Sequence, residues 1–177
     1  HKFKVLQNPH GILFNPISIC NSLDAYIHKR LIKKDELFEF QSLWHHWDFH
    51  SEFSNEDPEH ALDLMNNSIL ASHEFLKNAE WVFITLGSAF AYLKAGRGVV
   101  ANCHKMPSEV FSKELLKPTE IASRLIHVIQ DLMDVNQKIK IAFTVSPVRH
   151  LRDGFIENNR DRKSTRLNSS HEWISRM

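Results

Sequence analysis

The chain has 177 residues, which is enough for one domain, and its 22 lysines plus arginines nearly balance its 21 aspartates plus glutamates. No basic stripe precedes residue 160 and no apolar run approaches the roughly 18 residues of a membrane span, so we expect neither a nucleic-acid partner nor a transmembrane segment. The two cysteines, Cys20 and Cys103, lie far apart in sequence, which excludes a disulfide framework and indicates free thiols in a reducing compartment such as the cytoplasm.

The first half of the chain predicts a strand, a helix, an insertion and a second helix. Residues 3–6 form an apolar run typical of a buried strand. The helices begin at Asn15-Pro16 and Asp57-Pro58, because proline suits the first helical turn and Asn or Asp caps its exposed N–H groups. The insertion, residues 37–49, mixes aromatic and polar side chains and predicts a β-hairpin or an irregular segment. Inward stripes repeat every three or four positions, at Cys20, Leu23, Ile27 and Leu31 and at Leu62, Met65, Ile69 and Leu76.

The second half predicts a strand over Trp81–Leu86, a hairpin around Gly96-Arg97-Gly98, a helix beginning at Lys117-Pro118 and a strand over residues 139–145. The predicted strands do not alternate cleanly, as expected of parallel strands covered on both faces. This order predicts an α/β domain with a three-layer, mostly parallel sheet, flanking helices and right-handed crossovers. We expect the sheet to be incomplete at both ends. The third helical stripe is formed by Ile121, Leu125, Val128, Leu132 and Val135.

Small and polar residues follow each predicted strand, at residues 7–11, 87–90 and 146–150. Loops at the carboxyl ends of parallel strands share one edge, where α/β sheets bind ligands. Glycines and amide or hydroxyl donors in such loops, with a cation, are typical of a cleft that stabilises an oxyanion. Two interpretations stay open, because Gly11 and Gly87 also permit tight turns and Asn8 also caps a turn.

Several segments together resemble one known family. Residues 8–19 read NPHGILFNPISI, residues 43–45 LWH, residues 85–90 TLGSAF and residues 100–105 VANCHK. The most specific segment is FTVSPVRHLRDG at residues 143–154, which continues through ENNR at residues 157–160. In this order the segments resemble the GSCFA family, a relative of the SGNH/GDSL-type hydrolases. The resemblance covers about residues 3 to 162 and implies an SGNH- or flavodoxin-like fold.

The resemblance implies an ester hydrolase or acyltransferase with a serine nucleophile and a histidine base, and no cofactor. The substrate would be a small-molecule or glycan ester. The Gly-Ser-Cys-Phe-Ala motif that holds the serine would precede His1, and the His-Pro-Ser segment that holds the histidine is not found. We therefore expect this chain to carry the cleft but to be inactive alone. Its oligomeric state cannot be read from the sequence.

Carried over residue by residue, Gly11 resembles the glycine donor of the second SGNH block and Gly87 that of the third. The third block's asparagine is replaced by Ala89, and Asn102 is a candidate substitute that a hairpin could return to the same edge. Asn102 could equally be a turn or ladder residue. His10 stands where the family usually has Phe, and Phe90 where Trp is usual.

Ser88 follows a strand and a glycine, but the loop lacks the Gly-x-Ser-x-Gly form of a nucleophile elbow. Residues 89–93 also read as extended, so no helix offers its N-terminus to this serine. We expect Ser88 to be a backbone donor or a structural hydroxyl rather than the nucleophile.

Twelve histidines are present, and the densest patch is His45-His46-Trp47-Asp48-Phe49-His50. If this patch is a strand, His46, Asp48 and His50 share one face and could bind a metal. They could equally be solvated partners, or contacts to substrate from a loop above the cleft. The patch therefore supports an alternative function, a non-catalytic ligand- or metal-binding domain, although we expect no metal.

Further candidates for substrate binding are His104, Arg149 and His150. Arg149 could clamp an anionic group or form a salt bridge within the chain. From residue 163 onwards the sequence has no helical stripe and resembles a translated sequencing-adapter peptide. We therefore divide the chain into a partial α/β domain at residues 1–162 and a non-native tail at residues 163–177.

Overall fold

A computed structural model describes residues 3–145 of the chain, with the side chain of the last residue excepted. The predicted loop at residues 146–150, with Arg149 and His150, and the predicted tail at residues 163–177 lie outside the described residues. In chain order the helices and strands are α1 (Pro16–Ile27), β1 (Phe38–Phe40), β2 (Leu43–His45), α2 (Pro58–Leu76), β3 (Trp81–Leu86), β4 (Phe90–Lys94), β5 (Gly98–Val100), β6 (Phe111–Leu115), α3 (Pro118–Val135) and β7 (Lys140–Val145).

The three helices begin where the X-Pro pairs predict. The side chain of Asn15 accepts a hydrogen bond of 2.8 Å from the backbone N–H of Ser18, and that of Asp57 accepts one of 3.0 Å from Glu59. Both predicted caps are therefore confirmed. The predicted inward face of the first helix is wrong at its last position, Leu31. α1 ends at Ile27, and Leu31 lies beyond it with an exposed side chain.

The described strands form three small sheets. β3 and β7 pair in parallel along their whole lengths, from Trp81 opposite Lys140 to Leu86 opposite Val145. β1 and β2 form an antiparallel hairpin, and β4 pairs antiparallel with both β5 and β6. The predicted α/β class is confirmed, and the order of elements is consistent with a flavodoxin-like three-layer fold. Both predicted hairpins are confirmed.

One predicted strand is wrong, and one strand was not predicted. Residues 3–6 are not a strand, because no described strand pairs with them, and Phe3 and Val5 are 82% and 78% exposed. An apolar run needs a hydrogen-bonded neighbour before it becomes a strand. β6 was not predicted, since the three middle residues of Phe111–Leu115 are exposed and polar and give no apolar run.

The helices and β3 share one hydrophobic core. Ile84 and Leu86 of β3 are buried in the same cluster as Ile121 and Leu125 of α3. Each such side chain contributes about 1.5–3 kcal/mol when fully buried. The opposite face of β3 differs from the expectation that both faces are covered, since Trp81 and Phe83 are 49% and 69% exposed. In residues 3–145 no helix combines the length and apolar character needed to cross a bilayer.

Candidate functional site

Two loops meet at the carboxyl end of β3, and we call residues 8–14 and 87–89 the strand-edge loops. The backbone N–H of Ser88 donates a hydrogen bond of 2.9 Å to the carbonyl oxygen of Phe14. A Cβ atom on Gly87 would lie 2.8 Å from the same oxygen, so only glycine allows this approach. The segment that meets residues 87 and 88 is therefore the one around Phe14, beyond the predicted loop at residues 7–11, and sequence analysis missed Phe14 because its contribution is a backbone carbonyl.

The first strand-edge loop contains a tight turn. The N–H of Gly11 donates a hydrogen bond of 2.7 Å to the carbonyl of Asn8, and both residues have positive φ, 81° and 46°. A Cβ on Gly11 would lie 2.1 Å from the Cβ of His50. The turn therefore accounts for Gly11, whose N–H is directed to Asn8 in this arrangement.

Ser88 does not sit on a nucleophile elbow. β4 begins at Phe90, so a strand rather than a helix follows the serine, as predicted. The Oγ atom of Ser88 accepts a hydrogen bond of 3.1 Å from the backbone N–H of Phe90. The methyl group of Ala89 is fully buried, and its carbonyl accepts the N–H of Leu116 at 3.0 Å. This loop is therefore held to both β4 and the end of β6.

Asn102 lies in a turn that leads to His104. Its Oδ1 atom accepts a hydrogen bond of 2.8 Å from the backbone N–H of His104, and its own N–H donates to the carbonyl of Trp47 at 3.3 Å. His104 is buried, with Nε2 2.9 Å from the carbonyl oxygen of His46. The ring of His104 is thus enclosed, and its contacts are to the protein.

Four buried imidazoles, those of His10, His45, His46 and His104, form what we call the histidine cluster. The ring of His10 stacks on Phe49 with 3.7 Å between centroids, and its Nδ1 lies 2.6 Å from the hydroxyl of Tyr26. The rings of His45 and His104 are 4.4 Å apart. The cluster joins distant segments of the chain to the first strand-edge loop, because the N–H of His50 donates to the carbonyl of His10 at 2.8 Å.

Burial lowers the pKa of every imidazole in the histidine cluster and keeps those of His10, His46 and His104 uncharged at neutral pH. It lowers the pKa of His10 to about 3, and the pKa values of His46 and His104 to about 4 each. Neighbouring charges act in the same direction, since Arg30 and His46 oppose a proton on His10. Neutral imidazoles can each donate one hydrogen bond and accept another. This explains how they pack among Tyr26, Phe49 and backbone carbonyls.

A buried carboxylate lies beside the histidine cluster. One oxygen of Asp48, Oδ2, is 2.7 Å from Nη2 of Arg97 and 3.8 Å from Nη2 of Arg30. The other, Oδ1, is buried with no hydrogen-bond partner in the described part of the chain. Burial raises the pKa of Asp48, although Arg97 and Arg30 oppose the rise. Sequence reasoning missed this pair because Arg97 sits at a hairpin tip, 49 positions from Asp48.

The predicted geometry of a metal site at His46, Asp48 and His50 is wrong. β2 ends at His45, so these residues lie in the loop that follows it and do not share the face of a strand. Instead, Nδ1 of His46 accepts the backbone N–H of Asp48 at 3.2 Å, and Nδ1 of His50 accepts that of Glu52 at 3.4 Å. Within residues 3–145, these three side chains are not among those whose ligand atoms converge.

Comparisons with known proteins give one match. The family model described as "GSCFA family" matches residues 1–176. No curated protein and no solved structure matches the chain. The matched range includes residues 163–176, so the tail boundary stays a prediction.

Proposed function

Because the chain belongs to the GSCFA family, we propose that it forms one wall of the active-site cleft of an SGNH-type ester hydrolase or acyltransferase. The observation that carries this proposal is the hydrogen bond from Ser88 to Phe14, which joins two loops at the carboxyl end of a parallel strand pair. Open α/β sheets bind their ligands at this edge. The substrate would be a small-molecule or glycan ester.

In this proposal Gly87 and Asn102 supply the donors for the oxyanion, because the N–H groups of Gly11 and Ser88 already donate to Asn8 and Phe14. The bond between Oδ1 of Asn102 and the N–H of His104 fixes the orientation of the amide group, whose NH₂ donors we assign to the oxyanion. Asn8 lies exposed on the turn, where it can contact the alcohol portion of an ester. Arg149 and His150 remain proposed contacts for an anionic group on the substrate. The resemblance to SGNH hydrolases assigns the nucleophile and the base to residues other than these.

The test is a titration of the chain with p-nitrophenyl butyrate, followed by the backbone amide resonances. We expect shifts at residues 8–14 and 87–89, and no hydrolysis above the rate in buffer. Gly87→Ala should abolish the shifts, because its Cβ would collide with the carbonyl of Phe14 and separate the loops. Asn67→Ala is the control, since Asn67 is exposed on α2 and lies outside both loops.

Two outcomes would contradict the proposal. Ester binding that leaves the strand-edge loops unshifted would place the ligand elsewhere. Hydrolysis that disappears in Ser88→Ala would make Ser88 the nucleophile, which contradicts the proposal that the nucleophile is a different residue.

A further inference from the structure

Two histidines and two aspartates lie together on neighbouring helices. Asp24 is in the last turn of α1 and His28 is its C-terminal cap, while His127 and Asp131 are on α3. Each pair is spaced by four residues, which places both members on one face of a helix. Nδ1 of His28 is 3.2 Å from Oδ1 of Asp24, and Nε2 of His127 is 3.6 Å from Oδ2 of Asp131.

The two pairs face each other because α1 and α3 pack side by side in the same direction. Nη2 of Arg124 donates a hydrogen bond of 2.9 Å to Oδ1 of Asn21, which fixes the relative position of the helices. Three and seven residues further along α1 stand Asp24 and His28. The same steps along α3 lead to His127 and Asp131. In agreement with these equal steps, the ligand atoms of Asp131 converge with those of Asp24 and His28, and His127 lies 3.6 Å from Asp131.

The C-terminal ends of α1 and α3 make the surroundings of these four side chains electronegative. Both helices direct their carbonyl ends towards the two histidine–aspartate pairs, and that end of a helix carries a partial negative charge. Neither helix has a basic residue in its last turn. Aspartate is unfavourable at such a position unless a cation lies close to it. Lys29, the nearest lysine in sequence, is 3.6 Å from Glu74.

We propose that Asp24, His28, His127 and Asp131 bind a late first-row divalent cation, with Zn²⁺ as its probe. Ligand atoms of Asp24, His28 and Asp131 already lie within 4.8 Å of one another. A tetrahedral zinc site with bonds of about 2.1 Å needs its ligand atoms about 3.4 Å apart. These side chains are exposed or half-buried and can rotate through the remaining distance. Imidazole and carboxylate together suit zinc better than magnesium or calcium, which prefer oxygen ligands.

The cation site is separate from the proposed ester cleft. α1 begins at Pro16, directly after the first strand-edge loop, and its 12 residues place its C-terminal end about 18 Å from that loop. A cation there would join α1 to α3 and stabilise the folded chain by binding it and not the unfolded state. Its presence or absence is therefore independent of ester binding.

The experiment is a calorimetric titration of the untagged chain with ZnCl₂, together with Co²⁺ absorption spectroscopy. We expect one bound Zn²⁺ per chain and the visible bands of tetrahedral Co²⁺. His28→Ala and Asp131→Asn should each weaken Zn²⁺ binding about tenfold or more. His60→Ala and Asp63→Asn are matched controls, since both residues are exposed on α2. They should leave the affinity unchanged.

Zn²⁺ affinity that is equal in the wild type, His28→Ala and Asp131→Asn would overturn the proposal. Failure of a large excess of Zn²⁺ to bind or to raise the unfolding temperature of the wild type would also overturn it. Affinity lost in His50→Ala but kept in His28→Ala would place the metal in the histidine-rich patch instead. The substituted side chains are exposed or half-buried, so circular dichroism should show folded proteins.

Discussion

Lowering the pH from about 7 to about 5 should destabilise the folded chain strongly through the histidine cluster. In the unfolded chain His10, His46 and His104 titrate near their ordinary pKa of 6.5, whereas burial lowers their folded values to about 3, 4 and 4. A group with a lowered folded pKa binds protons preferentially in the unfolded state. Its contribution to stability is therefore complete above 6.5 and is lost as the pH falls towards the folded pKa.

The expected loss follows from the size of these shifts. Between about pH 7 and pH 5 each of the three histidines contributes a loss of about 2 kcal/mol, or about 6 kcal/mol together. A domain of this size has a total stability of about 5–15 kcal/mol, so the loss is a large part of it. Asp48 acts in the opposite direction, because its raised pKa favours proton uptake in the folded state, but it binds only one proton.

The assay is urea unfolding at a series of pH values, with the free energy of unfolding plotted against pH. Its slope below about pH 6 counts the protons taken up on unfolding, and we expect between two and three. His104→Gln should reduce the slope by about one proton, whereas His60→Gln, at an exposed position on α2, should leave it unchanged. A free energy that stays constant within about 1 kcal/mol from pH 7 to pH 5 would refute the reasoning.

Two further predictions concern a charge pair and the thiols. Arg97→Ala should cost about 2–3 kcal/mol, because it removes the hydrogen-bonded cation and leaves the buried carboxylate of Asp48 with only Arg30 at 3.8 Å, whereas Asp48→Asn should cost about 1 kcal/mol or less in the same denaturation assay. An equal or reversed order would contradict the burial argument. A thiol reagent should modify half-buried Cys103 before Cys20, whose pKa burial raises to about 12, and denaturant should equalise the two rates. Faster modification of Cys20 in the folded chain would be inconsistent with its burial.

The elements that sequence predicts well are those with local causes. The X-Pro starts at Asn15 and Asp57 act within one helical turn, and the glycines around Arg97 set a hairpin within a few residues. Residues 3–6 and β6 were misjudged because pairing depends on segments distant in sequence. A polar strand such as β6 exists because β4 lies beside it.

The predictions about the site divide in the same way, into features with local causes and features that depend on distant segments. That Gly11 and Gly87 permit tight approaches could be predicted from their position after apolar runs. Their partners, the Cβ of His50 and the carbonyl of Phe14, could not, because each contact crosses between separate segments of the chain. The proposed face of His46, Asp48 and His50 failed for a different reason. It required β2 to continue for five more residues, and a strand of three residues does not carry its alternation into the following loop.

The exposed face of β3 has an optical consequence. Trp81 is half-exposed there, with the ammonium group of Lys140 5.3 Å from its ring, whereas Trp47 is buried with that of Lys94 at 5.5 Å. The two indoles therefore have similar cationic neighbours but differ in their exposure to water. Trp81 should emit at the longer wavelength and be reached first by a dissolved quencher. In variants that keep only Trp81 or only Trp47 of the four tryptophans, the wavelength and quenching of the fluorescence thus report separately on the sheet face and on the surroundings of the histidines.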